Sequence, residues 1–231
     1  MKLDKDILRL LFFKTLGNFM VIMSLFMIGK TFLPALGAEI NYYFRQVKQV
    51  KTKVIAEKPV QSPATTSNPF SSLLDKFTQT EELISPVSTD FGIVIPRINA
   101  NSAIIPSVDT NSYEEYIESL KIGVAHAKGT ALPGDNGHIY LFAHSTDNVL
   151  SVGTYNAVFY LLYKLEPKDK IYLFYQGKKH VYSVLSKKII NPTEVHYLTR
   201  SSASEFLTLQ TCWPPGTTLK RLLVFATPVV K

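Results

Sequence analysis

The rhythm of apolar and polar positions changes several times along the chain. From Leu16 to Ala38 it is mostly apolar, through Phe19, Val21, Ile22, Leu25, Phe26, Ile28, Leu33 and Leu36. A bilayer core of roughly 30 Å needs about 20 helical residues, so this stretch predicts a transmembrane helix. Lys30 lies near its outer part, where a long stem carries the ammonium to the interface. Over residues 39–56, Val47, Val50 and Val54 recur at helical spacing with Lys between them, which predicts a short juxtamembrane helix. From Glu57 to about Ser72, Pro, Ser, Thr, Ala and Asn take over, the composition of an extended tether. Residues 73–84 read as a short helix closed by Ser85-Pro86.

Beyond residue 90 the period shortens. Gly92 to Pro96 and Ile104 to Pro106 read as strands, and Tyr113 to Leu120 as a helix with acidic residues in its first turn. Gly134-Asp135-Asn136-Gly137 is a turn leading into a strand from His138 to His144. Phe159 to Leu165 suits a short helix. Lys170 to Tyr175 and His180 to Leu185 flank a hairpin turn at Gln176-Gly177-Lys178-Lys179, and Lys187 to Ile190 extends the sheet. Phe206 to Cys212 and Leu219 to Thr227 make the last two strands. Many short strands with few helices predict an all-β domain, a closed or nearly closed barrel. The expected organisation is a cytoplasmic flank and signal-anchor over 1–38, a juxtamembrane segment and tether over 39–84, and the β domain over 85–231.

Composition narrows the picture. Of 231 residues, 46% are hydrophobic and 19% charged, enough for a packed core. The net charge of +7 is scattered, with no basic helix and no aromatic-basic stripe, so nucleic acid is not an expected partner. Lys2, Lys5, Arg9 and Lys14 precede the apolar segment and favour a cytoplasmic N-terminus, although Arg45, Lys48, Lys51 and Lys53 follow it. Leu36-Gly37-Ala38 offers a rival reading as a cleavage site, but the apolar run is longer than a usual signal-peptide core. Either reading exports the rest of the chain, and the expectation is a single-pass membrane protein with its β domain outside the cytoplasm. The single cysteine excludes an intramolecular disulfide and a multi-thiolate metal site. Glu114, Glu115 and Glu118 read as a solvated helix face and form no clear acidic cluster, so calcium is not indicated, and no cofactor is expected.

That one cysteine is the sharpest chemical signal. Cys212 ends a strand and is followed by Trp213-Pro214-Pro215-Gly216, which cannot continue it regularly. The thiol therefore sits at the lip of a sheet. A lone thiol in an exported protein also carries an oxidation hazard, easier to understand if the sulfur reacts. Buried structural packing is the plainer alternative. A thiol nucleophile needs a proton partner and an oxyanion stabiliser. If residues 213–218 are the connecting loop, Cys212 faces Leu219, Gln210 faces Arg221, and all of them share one face. Arg221 then lies diagonally from the sulfur, within reach of a carbonyl held there. Five histidines compete for the acid/base role. His144, at a strand end, leads; His138 begins the same strand and cannot also reach the sulfur. His126 and His196 read as loop residues and His180 as an exposed strand start.

Thr208-Leu209-Gln210-Thr211-Cys212 resembles the TLxTC signature of the sortase family, and Arg221 follows in a Leu/Val-rich strand as in that family. Gly129 to Gly134 through Ala143-His144, Phe159 to Ile171, and Asn191 to Val195 resemble further family segments in the right order. Lys168 stands where Gly is common, and Ser145 where many members carry a larger residue. The resemblance covers roughly residues 90–231 and implies an eight-stranded sortase-type barrel. It implies Cys212 as nucleophile, His144 as general acid/base, Arg221 as holder of the substrate carbonyl or oxyanion, and Thr211 as a further hydrogen-bond donor to substrate. The implied reaction cleaves an LPxTG-like sorting motif of exported proteins and transfers it to an amine of the cell wall or a pilin lysine. An exported cysteine peptidase with the same residues, and a non-catalytic binding barrel, are the alternatives.

Overall fold

The computed structural model describes residues 5–48, 52–55, 82–145 and 157–229. The chain forms two units, Met1–Ile40 and Asn41–Lys231. Helix α1 runs unbroken from Lys5 to Val47. Its stretch Arg9–Lys30, 22 residues with none buried, is long and apolar enough to cross a membrane. At 1.5 Å per residue it reaches about 33 Å. A separate juxtamembrane helix over 39–56 is not formed. Glu39 to Val47 contains neither Gly nor Pro, so α1 continues through it.

The next departure from expectation is a pair of short strands. β1 (Thr52–Val54) pairs in parallel with β2 (Glu82–Ile84), where helix was expected at both places. The Pro/Ser/Thr-rich stretch from Glu57 to Ser72, and residues 73–81, lie outside the described residues. Val54 and Ile84 are buried in one cluster with Val94 and Phe174, with Tyr172 packed beside it. A β-branched side chain on each short strand suits extended backbone and gives it an apolar contact that a lone three-residue helix could not reach. Asn101 secures the chain just after β2, donating to Ser85 O at 2.7 Å and accepting from Val87 N at 2.9 Å.

Eight strands close the barrel: β3 (Phe91–Ile95), β4 (Ala100–Val108), β5 (Val124–Ala127), β6 (His138–Phe142), β7 (Lys170–Tyr175), β8 (Lys178–Ile190), β9 (Phe206–Trp213) and β10 (Lys220–Pro228). The order around it is β10-β8-β7-β3-β4-β5-β6-β9, closing on β10. Only the β4–β5 and β6–β9 pairs are parallel. Helix α2 (Tyr113–Ile122) joins the parallel pair β4 and β5, and its Ser112 N-cap accepts from Glu115 N at 3.4 Å. The four-residue α3 (His196–Thr199) precedes β9. The β7–β8 hairpin turns on Gln176 (φ 48°) and Gly177 (φ 74°), the left-handed pair of a type I′ turn.

Alternation divides each strand between two faces. Ile139 and Leu141 of β6 lie level with Leu207 and Leu209 of β9, all fully buried. Ile93 of β3 pairs with Leu173 of β7 in the same condition. These point into the barrel, because their alternates point elsewhere: Tyr140 and Phe142 pack in a cluster with Leu120 and Tyr116 of α2 and Tyr197 and Leu198 of α3. The outer wall along β5, β6, β9 and β10 is thus a second apolar layer. It carries Ala125, Ala127, Leu223 and Phe225, covered by two helices.

Replacing Leu209 by Ala removes a fully buried interior side chain beside the proposed site. The expected cost is about 2–5 kcal/mol. Leu219, 71% exposed, is expected to change stability by no more than about 0.5 kcal/mol on the same substitution. Urea unfolding followed by the fluorescence of Trp213 checks both.

Candidate active site

β9 and β10 set the first two side chains. Their antiparallel register pairs Cys212 with Arg221, Gln210 with Leu223 and Trp213 with Lys220. The expected pairing of Cys212 with Leu219 is therefore corrected by two residues. Trp213 remains in the ladder, so the loop occupies 214–219 and the strands extend further toward it. A shift of two preserves the face, and Arg221 stands directly opposite Cys212 instead of diagonally.

The third comes from the other side of β9. β6 and β9 pair in parallel at a constant offset of 68, from His138↔Phe206 to Phe142↔Gln210. The ladder continues past the end of β6, since Ala143 N donates to Gln210 O at 3.1 Å. Carried to His144, the same register makes it level with Cys212. Neighbouring strands lie about 4.8 Å apart. Cys212 and Arg221 thus stand opposite each other on β9 and β10, and His144 follows the end of β6, the strand on the other side of β9. Behind them, the Thr211 hydroxyl donates to Ala143 O at 2.9 Å and is itself buried. Thr211 points to the opposite face from Cys212.

These residues are accessible. Cys212, Arg221 and His144 are all half-buried. Arg221 Nη1 donates to Thr218 O at 3.0 Å and Lys220 O at 3.1 Å, which fixes the guanidinium at the loop's base. Its Nε and Nη2 have no partner among the described residues. The Trp213 ring lies 5.4 Å from that of Tyr163. The His144 carbonyl accepts from Phe159 N at 3.3 Å, which holds the residue after β6 ends.

One residue of the site was not read from sequence. Tyr116 of α2 stacks on Phe142, with centroids 5.2 Å apart and planes 9° from parallel. Burial lifts its phenol above the ordinary value; Cys212 adds to this and Arg221 opposes it, so the hydroxyl lies within the field of both. The helix itself was legible, but nothing local marks which of its residues leans over β6 and β9.

The other histidines lie elsewhere. His126 is buried, its Nε2 within 2.9 Å of Thr130 Oγ1 and 3.0 Å of Ala131 O, and burial lowers its pKa. His138 is buried with its Nε2 2.8 Å from Thr208 Oγ1. That hydroxyl also accepts from Arg200 Nη2 at 2.9 Å. Burial first, and the Arg200 charge second, push the His138 pKa down to about 4. His180 lies against Gly134, and His196 is exposed on α3. Among the described residues no group of three His, Cys, Asp or Glu side chains is arranged to hold a metal ion.

The sequence model of a family described as Sortase domain matches residues 93–229. Sortase D of Bacillus subtilis (strain 168) is 28% identical over 134 residues, which cover 57% of this chain and 59% of that protein. The chain thus aligns with less than two thirds of that relative's length. Sortase C1 of GBS pilus island 1 is 30% identical with a TM-score of 0.51, covering 61% of this chain and 64% of that one. A Clostridium perfringens sortase C, solved with the C-terminal cell wall sorting motif, is 32% identical with a TM-score of 0.50, covering 61% of this chain and 70% of that one.

The neutral His138 has a consequence for acid stability. An unfolded histidine titrates near 6.5, so between about pH 6.5 and 4 the unfolded chain binds more protons than the folded one. Stability contributed by neutral His138 is present above this window and lost as pH falls through it. His138→Gln is expected to flatten that part of a plot of urea midpoint against pH. An unchanged slope would contradict the assignment.

Proposed function

The chain belongs to the sortase family, and on that premise we propose that it is a membrane-anchored cysteine transpeptidase with Cys212 as nucleophile, His144 as general acid/base and Arg221 as oxyanion stabiliser. The observation that supports this reading is the pairing of Cys212 with Arg221 across β9 and β10, both half-buried, with His144 following β6 on the other side of β9.

The chemistry follows from that arrangement. The Cys212 sulfur attacks a peptide carbonyl carbon, forming an S–C bond and placing negative charge on the carbonyl oxygen. Nε and Nη2 of Arg221 are the donors for that oxygen. Protonated His144 gives its proton to the departing amine nitrogen as the C–N bond breaks, which leaves a thioester. An incoming amine then attacks the thioester carbon and yields its proton to His144. A new amide forms and the thiolate leaves. Thr211 serves through the strand, its hydroxyl fixing Ala143 next to the histidine.

For the substrate we infer an LPxTG-like sorting motif of an exported protein, in keeping with the motif bound in the Clostridium perfringens relative. The acceptor class is an amine of a cell-wall peptide or a pilin lysine. The N-terminal helix, with Arg9 and Lys14 at its start, supports a single-pass anchor with the N-terminus in the cytoplasm and the barrel outside. Anchoring enzyme and substrate in one membrane raises their effective concentration.

The full-length protein in detergent micelles, incubated with a Leu-Pro-Glu-Thr-Gly peptide and triglycine, is expected to give a thioacyl adduct on Cys212 and a ligated product, both read by mass spectrometry. Cys212→Ala is expected to lose both by about a thousandfold or more. Arg221→Ala should reduce turnover by about 10²–10³ and His144→Ala by about 10²–10⁴. Full activity in Cys212→Ala sinks the proposal; product independent of added amine turns it into a peptidase.

A further inference from the structure

The row below the nucleophile carries a polar side chain that the mechanism does not use. Gln210 precedes Cys212 by two residues and shares its face, with Phe142 level on one side and Leu223 on the other. It is half-buried among apolar neighbours. Its Oε1 accepts a hydrogen bond from the Tyr140 hydroxyl at 2.6 Å.

That bond orients the amide. Tyr140 is 2% exposed and rigidly packed between β6 and the covering helices, so its hydroxyl has a fixed position. Burial raises its pKa above the ordinary phenol value, with Arg200 opposing, Tyr116 adding and Arg221 opposing. The hydroxyl is therefore protonated and available as a donor at neutral pH. With Oε1 so engaged, the other end of the amide, Nε2, is turned away from Tyr140. It has no protein partner among the described residues and is open to water, which a ligand carbonyl can replace.

We infer that Gln210 is a substrate-binding residue whose Nε2 donates to a main-chain carbonyl of the bound peptide, two residues upstream of the one attacked by Cys212. The spacing carries the assignment. Side chains two apart on a strand are separated by about 6.6–6.8 Å, and carbonyls on the same side of an extended peptide repeat at the same interval. A peptide whose reacting carbonyl rests on the sulfur therefore brings its next same-side carbonyl over Gln210. The upstream part must be the one that lies there. Cys212 is at the open end of the strand, where the departing and incoming amines need access, and the apolar outer layer extends from Gln210 in the other direction. The inference rests on the transpeptidase reading. In a Leu-Pro-Glu-Thr-Gly peptide cleaved after Thr, the carbonyl concerned is that of Pro.

The test pairs enzyme variants with a substrate lacking a strong acceptor. Wild-type full-length protein, Gln210→Leu and Gln210→Glu are compared on that peptide and on its depsipeptide, in which an ester replaces the Pro–Glu amide and weakens the Pro carbonyl as an acceptor. On the amide peptide both variants are expected to lose about tenfold in kcat/KM. Glu keeps an oxygen for Tyr140 but supplies no donor, so it separates donation from packing. On the depsipeptide, wild type is expected to fall by a similar factor and the variants to fall little further. Tyr140→Phe should lose less than either, because the amide stays present but unoriented. Equal activity of Gln210→Glu and wild type on the amide peptide, or fully additive losses, overturns the inference while leaving the nucleophile's role intact. If wild type itself fails on the amide peptide, the LPxTG reading fails first and takes this inference with it.

Discussion

The site depends on the alignment of three strands by main-chain hydrogen bonds. Cys212 and Arg221 are 9 positions apart in the sequence, and His144 is 68 positions before Cys212. The antiparallel ladder of β9 with β10 brings Cys212 level with Arg221, and the parallel ladder of β6 with β9 carries the chain toward His144 along the other side. A one-residue slip in either ladder would send a partner to the interior face, where fully buried Leu207 and Leu209 now point. The apolar interior therefore guards this register: a slip that displaced the end of β6 would also turn Ile139 and Leu141 out of the barrel interior. The Thr211–Ala143 hydrogen bond secures the same alignment at the strand end, where ladders ordinarily fray.

Much of this was legible in residues, and the rest failed for physical reasons. The barrel followed from short alternating runs and turn signals, and the position of Cys212 at a strand end from the two prolines after Trp213. The partner of Cys212 was mispaired by two because Trp213 stays in the ladder, which loop length alone does not reveal. The shared face survived because strand parity is unaffected by a shift of two. His144 was one of five candidates because parallel pairing across 68 positions has no local signature. The β1–β2 pair escaped for a similar reason. Strands of three residues from distant segments are defined by the surface they cover, here Val94 and Phe174, and not by their own pattern.

The outer layer gives the barrel a second function beyond enclosure. Tyr116 from α2 and Tyr197 from α3 press on the wall that carries Cys212 and Arg221, packing against Phe142 and Phe225. Arg200 lies over Phe206 and Phe225 with centroid distances of 4.2 and 4.9 Å. Such contacts stiffen an aromatic wall, which the polar side chains Gln210 of β9 and Arg221 of β10 interrupt.

The parallel pairing of β6 with β9 also bears on how the chain must fold. It joins segments so distant that the intervening chain must be looped closed before the pairing returns any stabilisation. The β3–β7 pair joins segments more distant still, from Val94 with Tyr172 to Phe91 with Tyr175. Until the seam of β6 with β9 closes, Cys212 lacks the neighbouring strand from which His144 follows.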